Sequence, residues 1–446
     1  MSLEKRRVSA SFSVILDFLI FLILAIGMSL LWRSQANHDS SWLLNATANW
    51  LHGAQLYVDI LELNPPFIFF LHAPAVGIAN LLGISHTQGF FVYVLGLVFI
   101  SAVWCRRLVA RPDNRFGSGL FAVGATTALI FPFLADFGQR EHLMVIFTLP
   151  YLMGYLTRPD PDRGWRALAR AAFAAFGLLI KPYFLVLPVL LTLGRMVQTR
   201  RLGPIIAPTN LVLLGAGIGY LVASYLLYPE YFTFILPVAR DVYGAYRLSA
   251  EAILAGAQIW VLIPALLVIG FLGIRNLPTK GLYAALAVAG AGASYILQFN
   301  GFGYHAQPIF AFLLVGYAWL CTTTSARRTL VAACGGYLVT AAATFHLAPY
   351  RVQAESVFAP YLTADGRPGT FLAVSANIIP FFPLVDVFGA HWVGRFPVQW
   401  FIPGAVAGLA ATDCAAEPQA CARFHDIINQ ATRLTAEDIA RNRPMW

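Results

Sequence analysis

Charged residues are scarce in this chain of 446 residues, because Asp, Glu, Lys and Arg together make up only 11% of it. Soluble domains carry roughly a quarter of their residues as these four types. Acids are the scarcer sign, with 21 Asp and Glu against 30 Lys and Arg. Hydrophobic residues reach 59%, and the mean hydropathy is +0.68. This composition excludes a soluble globular protein and predicts a polytopic α-helical membrane protein.

Several functional motifs are also missing. There is no glycine-rich phosphate loop, since the glycines of the run from Leu213 to Gly219 lie inside an apolar segment and are typical of helix packing. No internal repeat of the kind found in secondary transporters is visible. The net charge of +9 comes mostly from short arginine clusters between apolar runs, which is a topology signal. We therefore expect no nucleic-acid partner.

Cysteine is rare, with five residues, and none forms a zinc-type cluster with histidine. Cys105, Cys321 and Cys334 lie in or beside apolar runs and are expected to be packing residues. Cys414 and Cys421 stand close together in a polar tail. If that tail lies outside the cytosol, a disulfide between them is plausible.

The positive clusters predict the topology, because short cytoplasmic loops are enriched in Lys and Arg. The clusters are Lys5 to Arg7, Arg106 to Arg115, Arg158 to Arg170, Arg195 to Arg201, Arg275 with Lys280, and Arg327 with Arg328. Keeping all of them on one side gives about eleven spans, near 12–32, 87–105, 118–135, 142–157, 167–180, 183–197, 206–227, 252–274, 281–299, 307–323 and 329–347. The first is too long for a signal peptide and is expected to be retained. We predict a bacterial inner-membrane protein with a cytoplasmic N-terminus and a periplasmic C-terminus.

One apolar segment, Pro66 to Leu82, does not fit this pattern. If it crossed the membrane, Arg106 and Arg107 would lie outside. We interpret it as a juxtamembrane or re-entrant part of the first outer loop, residues 33–86. The alternative is twelve spans with a disturbed charge rule.

Two domains are predicted from the change in composition near residue 348. Residues 1–347 form the transmembrane catalytic domain, which includes the outer loop 33–86 with its juxtamembrane helices. Residues 348–446 have mixed polarity, turns and short apolar runs such as Thr370 to Val374, which is typical of a small α/β periplasmic domain. The stretch from Ala422 to Asn442 is expected to be helical.

The predicted outer loops gather most of the chemistry-bearing side chains. Asp39, Asp59 and Glu62 lie in the first loop, where Ser40 or Ser41 is expected to cap a short helix that runs through Trp50. The later loops and turns contribute Arg140, Glu141, Lys181, Tyr304 and His305. Ionisable groups at a membrane boundary are costly and often functional.

Such a mixture of acids and cations suits sugar transfer from a lipid-phosphate donor. A carboxylate can deprotonate an acceptor hydroxyl, while arginine, lysine or a metal stabilises the leaving phosphate. Because nucleotide sugars are not available outside the cytoplasmic membrane, the donor would be carried by a polyprenyl phosphate. The acceptor would be an envelope glycan, lipid or protein.

A family resemblance supports this hypothesis. Asp39, Ala48, Leu51, Gly53, Tyr57, Asp59, the Pro65-Pro66 pair and Leu82-Gly83 resemble the first loop of bacterial GT-C membrane glycosyltransferases, including the protein O-mannosyltransferase-like group and the aminoarabinose transferases. The resemblance implies a GT-C-like fold with Asp39 as the general base. Three features depart from the pattern. Asp39 is flanked by His38 and Ser40 and lacks the Asp-X-Asp or Asp-Glu pair of some relatives, Asn64 stands where the aminoarabinose transferases have lysine, and Glu141 stands where an Asp is usual.

The predicted site assigns catalytic roles to Asp39 and Glu141, and donor-phosphate contacts to Arg140, Lys181, His305 and Tyr304. Glu62 and Asp59 are candidates for a divalent metal site holding Mg²⁺, Mn²⁺ or Zn²⁺. Each residue also has a structural interpretation: Asp39 as a helix cap, Arg140 with Glu141 as an ion pair, and Lys181 as an interfacial side chain. The alternative functions are a ligase or polymerase that uses a diphosphate carrier, a transporter or flippase, and a non-catalytic scaffold.

Overall fold

The computed structural model describes residues 3–110, 115–158, 160–256, 259–260, 263, 278–324, 326–345, 347–364 and 367–442. Helices dominate this part of the chain, and apolar runs bounded by Gly, Pro and arginine clusters set their ends. The first nine are α1 (Leu3–Leu31), α2 (His38–Leu51), α3 (Phe67–Leu82), α4 (His86–Val109), α5 (Arg115–Ala128), α6 (Arg140–Thr157), α7 (Trp165–Leu178), α8 (Val186–Thr199) and α9 (Pro208–Leu227). The others are α10 (Leu236–Val242), α11 (Ala250–Ala255), α12 (Pro278–Gln298), α13 (Gly303–Thr323), α14 (Arg327–Thr344), α15 (Glu355–Leu362), α16 (Phe381–Val387), α17 (Phe401–Ala411) and α18 (Pro418–Asn442).

Short irregular helices complete the helical content of the described residues. Four are 3₁₀ turns, at Phe131–Asp136, Pro182–Leu185, Gly203–Ile206 and Tyr243–Tyr246. A π-helical turn occupies Tyr231–Ile235, directly before α10.

The helices confirm a multi-pass membrane protein. Every predicted span except 252–274 falls on a helix of the structure; most of that span, and Arg275, lie outside the described residues. Within the described residues, seven helices are long and apolar enough to cross a membrane. Helix α7 has 14 residues, which is about 21 Å and shorter than the roughly 30 Å hydrocarbon core. The predicted count of eleven spans is therefore not confirmed.

The chain forms two compact units. Unit 1 contains residues 1–33, 91–219 and 248–349, and unit 2 contains residues 34–90, 220–247 and 350–446. The predicted boundary near residue 348 coincides with one junction, but unit 2 also takes in the first loop and the segment 220–247. Sequence order alone did not predict that these three segments belong together.

Unit 1 is built on close helix pairs. Its strongest pairings are α6 with α7, α5 with α13, α13 with α14, α12 with α13, and α8 with α12. Small residues allow the close approaches: a Cβ on Gly124 would lie 3.0 Å from the Ala318 Cβ, and one on Gly177 would lie 2.9 Å from the Phe147 Cβ. This packing fixes the ends of α6, α12 and α13, where the first group of candidate residues lies.

Unit 2 contains the helices α2, α3, α10, α15, α16, α17 and α18. Helix α2 packs on α3 and α16, while α17 packs on α10 and α18. Helix α3 has 16 residues, a length of about 24 Å, and its Ala75 carbonyl lies 2.7 Å from where a Gly89 Cβ would stand. The juxtamembrane or re-entrant position of α3 stays a prediction.

The C-terminal tail is mainly helical in the described residues, with little of the predicted β-structure. The strands are β1 (Thr363–Ala364) paired with β2 (Arg367–Pro368), and β3 (Thr370–Phe371) paired in parallel with β4 (His391–Trp392). The α/β description is thus not confirmed, whereas the predicted C-terminal helix is present as α18. Cys414 and Cys421 form the expected disulfide just before and within α18.

Candidate functional site

The first cluster lies in unit 1 and is centred on Glu141. Gly138, with φ of +80°, turns the chain before α6, and Gln139 is the residue that precedes the helix. Glu141 then falls in the first helical turn, where the positive end of the helix dipole favours a carboxylate. The Glu141 side chain is completely buried. A buried carboxylate requires compensating charge.

Lys181 provides that charge. Its Nζ lies 2.6 Å from Glu141 Oε1, 2.9 Å from Gln298 Oε1 and 3.3 Å from His305 Nε2. The same Glu141 oxygen is 3.5 Å from His305 Nε2. The structure therefore brings together three predicted residues and adds Gln298, which the sequence did not single out. Gln298 was missed because it ends the apolar helix α12, where a lone amide carries no motif.

Aromatic rings border the ammonium group of Lys181. Its Nζ is 5.9 Å from the ring centroids of both Phe184 and Tyr304, which is within cation–π range. Tyr304 in turn packs edge-on against His305, with ring centroids 4.4 Å apart. Lys181 keeps 13% of its side chain exposed. A small part of this side chain is thus exposed.

Arg140 is also buried, with 9% exposure, and its charge acts on Glu141. The second carboxylate oxygen of Glu141, Oε2, is buried and has no hydrogen-bond partner among the described residues. The sequence offered an Arg140–Glu141 ion pair as the structural interpretation. In the structure Glu141 pairs with Lys181, and Arg140 and His305 are its further cationic or titratable neighbours. This arrangement fixes the position of the Lys181 ammonium group through Glu141, Gln298 and His305.

The second cluster lies in unit 2 at the start of α2 and contains Asp39. The helix is capped by Asn37, whose Oδ1 accepts from the Asp39 amide at 3.0 Å. The expected cap at Ser40 or Ser41 is wrong, since both serines are buried inside the helix. Asp39 occupies the first turn and keeps 25% of its side chain exposed.

His38 links Asp39 to the C-terminal segment of the same unit. Its Nε2 lies 3.7 Å from Asp39 Oδ1, and its Nδ1 lies 3.0 Å from the Tyr350 hydroxyl. The carboxylate is thus partly accessible to solvent, at a helix N-terminus, with an imidazole beside it. Such a group can accept a proton from a hydroxyl placed next to it.

Asp386 forms a third feature, which the sequence did not reveal. Ser41, on the second turn of α2, donates a hydrogen bond to Asp386 Oδ2 on α16. Burial raises the pKa of the Asp386 carboxyl to about 7, and the Ser41 hydroxyl offsets part of that rise. No sequence signal marked Asp386, because it follows an apolar run in a region predicted only as mixed structure.

Glu62 organises the second half of the first loop. It accepts hydrogen bonds from Trp42 Nε1 at 2.5 Å, and from the backbone and side-chain nitrogens of Asn64 at 2.8 and 2.6 Å. Asp59 is exposed and accepts from the Gln55 amide at 2.9 Å, which closes its own turn. Among the described residues, no three His, Cys, Asp or Glu side chains converge as a metal site would require. Glu62 and Asp59 thus have local structural roles, and a metal there stays a prediction.

Tyr57, another residue of the first-loop motif, has a structural role. It adopts a left-handed backbone with φ of +68°, and its buried hydroxyl donates to the Asn64 carbonyl at 2.8 Å. Its ring packs against Tyr231 and Tyr228, with centroids 5.0 and 6.1 Å away. These contacts hold the turn that precedes the Pro65-Pro66 pair.

Comparisons with known proteins concern the fold. The chain resembles the crystal structure of ArnT from Cupriavidus metallidurans bound to undecaprenyl phosphate, with a TM-score of 0.50 over 95% of this chain and 77% of that chain. The sequence identity is 15%, so the likeness shows the fold alone. It supports the predicted GT-C-like architecture. No family model and no curated protein matches the sequence.

Proposed function

We propose that the protein is a GT-C-type integral-membrane glycosyltransferase that takes a sugar from a polyprenyl-phosphate donor. The acceptor is an envelope glycan, lipid or protein on the periplasmic face. Three lines of support combine: the ArnT-like fold, the first-loop motif around Asp39, and the buried Glu141–Lys181 pair. ArnT itself was crystallised with undecaprenyl phosphate, a lipid of the proposed carrier class.

Asp39 acts as the general base in this proposal. Its carboxylate takes the proton of an acceptor hydroxyl as that oxygen attacks the anomeric carbon of the sugar. The bond between the anomeric carbon and the phosphate oxygen breaks, its electron pair stays with the phosphate, and the anomeric configuration inverts. The products are the glycosylated acceptor and the polyprenyl phosphate.

Lys181 is the residue that we assign to the departing phosphate, and its setting is the observation that carries the proposal. Negative charge grows on the phosphate as the bond breaks, so a preorganised cation lowers the barrier. Glu141 Oε1 and Gln298 Oε1 fix the ammonium group at 2.6 and 2.9 Å. Glu141 is then a positioning residue for Lys181, while Arg140, His305 and Tyr304 supply further phosphate contacts.

A divalent metal stays a separate hypothesis. Glu62 already accepts hydrogen bonds from Trp42 and Asn64, and Glu141 is engaged by Lys181. We therefore route no step of the reaction through a metal.

A deletion strain tests the proposed activity, because the acceptor is then revealed by the sugar that it lacks. Mass spectrometry of its envelope glycans, lipids and glycoproteins should show one species that lacks a single sugar residue. Complementation with the wild-type gene should restore that sugar, whereas an equally expressed Asp39→Asn variant should not. The Asp426→Asn variant is a matched control, because Asp426 is an exposed carboxylate on α18, outside the first loop. Unchanged envelope composition in the deletion strain, with altered uptake or export instead, would favour the transporter alternative.

A further inference from the structure

A cavity of about 380 Å³ lies within unit 2, next to the first loop. Its lining residues come from α10, from the following 3₁₀ turn, from the residue directly after that turn and from the first loop: Leu236, Ala239, Arg240, Tyr243, Gly244, Arg247 and Leu63. Small-molecule sites generally occupy roughly 300–1,000 Å³. The volume is therefore sufficient for a small polar group.

The charge of this cavity is positive. Arg240 and Arg247 both line it, and no acidic side chain is among the described residues of its wall. Arg240 Nε lies 3.4 Å from Asp241 Oδ1, so part of its charge is balanced. The Arg247 side chain has no ion pair or hydrogen bond within the described part of the chain. Among the described residues, the Arg247 guanidinium thus has no side-chain partner at the edge of this cavity.

The remaining wall combines one hydroxyl with apolar surface. Tyr243 contributes a phenol, while Leu63, Leu236 and Ala239 contribute aliphatic groups. Two hydrogen bonds hold the turn that bears Arg247: the Arg247 amide donates to the Gly244 carbonyl at 3.1 Å, and the Tyr246 hydroxyl donates to the Trp400 carbonyl at 2.8 Å. A guanidinium on an anchored turn is suited to phosphate or carboxylate, which it can bind through two parallel hydrogen bonds.

We propose that this cavity is a subsite for an anionic group, a phosphate or carboxylate, on the acceptor, with Arg247 as its main ligand and Tyr243 as a hydrogen-bond donor. The proposal rests on the proposed function, in which one donor phosphate is already assigned to Lys181. The cavity has its own cations, and a two-substrate transfer leaves the acceptor as the source of a second anion. The acceptor class is thereby narrowed to phosphorylated or acidic glycans and lipids.

Binding by the purified full-length protein in detergent tests this subsite without any sugar donor. Calorimetric titration uses glucose 1-phosphate as the soluble probe and glucose as the uncharged control. The Arg247→Gln variant should bind glucose 1-phosphate about tenfold or more weakly, the loss expected for one charge-assisted bidentate contact. Arg433→Gln is the matched control, because Arg433 is an exposed arginine of the same unit outside the cavity and pairs with Glu437.

A second titration, with undecaprenyl phosphate, shows whether the cavity binds the acceptor or the lipid carrier. The proposal predicts that Arg247→Gln leaves carrier binding unchanged, while Lys181→Met weakens it. An equal loss of both probes in Arg247→Gln would assign the cavity to the carrier and overturn the acceptor subsite. Binding of glucose 1-phosphate that is insensitive to Arg247→Gln, or absent from the wild type, would also overturn it. Neither titration requires turnover, so the Asp39→Asn variant remains an independent test of the proposed activity.

Discussion

The Lys181 ammonium lies 2.6 Å from a Glu141 carboxylate that is completely buried. Each charge was brought out of water at a cost of several kcal/mol, which only the partner and additional hydrogen bonds offset. Gln298 and His305 provide further contacts to the same ammonium. The pair therefore compensates the buried Glu141 charge and fixes the position of the Lys181 ammonium group.

Replacing Lys181 by methionine should remove phosphate binding and leave the Glu141 charge buried without its partner. Loss of one member of a buried pair costs about 3–5 kcal/mol. We expect a clear decrease in the thermal unfolding temperature of the purified protein, together with loss of sugar transfer. Differential scanning fluorimetry and an activity assay measure the two effects.

The double variant Lys181→Met/Glu141→Gln separates these roles. Neutralising Glu141 removes the buried charge, so most of the lost stability should return. Activity should not return, because the cation is still absent. Recovery of activity together with stability would show that Lys181 has only a structural role.

The Asp386 carboxyl should make unit 2 less stable as the pH rises. Its pKa is about 7 in the folded protein against 3.8 for the ordinary side chain, so between these values the native state binds more protons than the unfolded state. The contribution of Asp386 to stability is therefore fully present below about pH 4 and is lost as the pH rises through about 7. Unfolding temperatures measured from pH 5 to pH 8 should show this slope.

Asp386→Asn is the control for that slope. An amide resembles the protonated carboxyl and can still accept the hydrogen bond that Ser41 donates. The variant should be at least as stable as the wild type at pH 8 and should show a flatter pH dependence. An unchanged slope would mean that another group titrates.

The disulfide between Cys414 and Cys421 should stabilise the tail and report its compartment. A loop of this length, with a sequence separation of 7 residues, is expected to contribute about 2–3 kcal/mol by restricting the unfolded chain. A Cys414→Ser/Cys421→Ser variant should therefore unfold at lower temperature. Mass spectrometry of unreduced peptides from intact cells should find the bridge. A fully reduced pair would contradict the predicted periplasmic location.

Glu62 should contribute mainly to stability, as a hydrogen-bond acceptor in the first loop. Glu62→Gln keeps the shape but weakens the bonds from Trp42 and Asn64, so we expect a loss of about 1–3 kcal/mol with partial activity. Elemental analysis of wild-type and variant proteins is the accompanying measurement. A stoichiometric divalent ion in the wild type that disappears in Glu62→Gln would instead establish the metal site.

The sequence predicted the parts of the fold that depend on local pattern. Apolar run length and arginine clusters located the helices, and the polar setting of Cys414 and Cys421 indicated their bridge. The predicted count of eleven spans is not confirmed, because α7, at 14 residues, falls below the usual spanning length. The tail was predicted as α/β because its short apolar runs allow either strand or helix.

The candidate site was predictable in its residue types but not in its pairing. Ionisable side chains in the predicted outer loops indicate Asp39, Glu141 and Lys181 as candidates, whereas Gln298 and Asp386 carry no motif. The sequence predicts Ser40 or Ser41 as the N-cap, but Asn37 is an equally good capping residue and occupies that position. Partners distant in sequence, such as Ser41 and Asp386, are defined only by tertiary packing.

The most direct test is transfer by purified wild-type and Asp39→Asn proteins in lipid vesicles with a radiolabelled polyprenyl-phosphate sugar and an envelope extract as acceptor. The wild type should move the label from the carrier to an acceptor with release of polyprenyl phosphate. Asp39→Asn should transfer no label above background while its unfolding temperature and carrier binding stay unchanged. Transfer by Asp39→Asn at the wild-type rate would contradict the assignment of the base, and no transfer by the wild type would contradict the proposed activity.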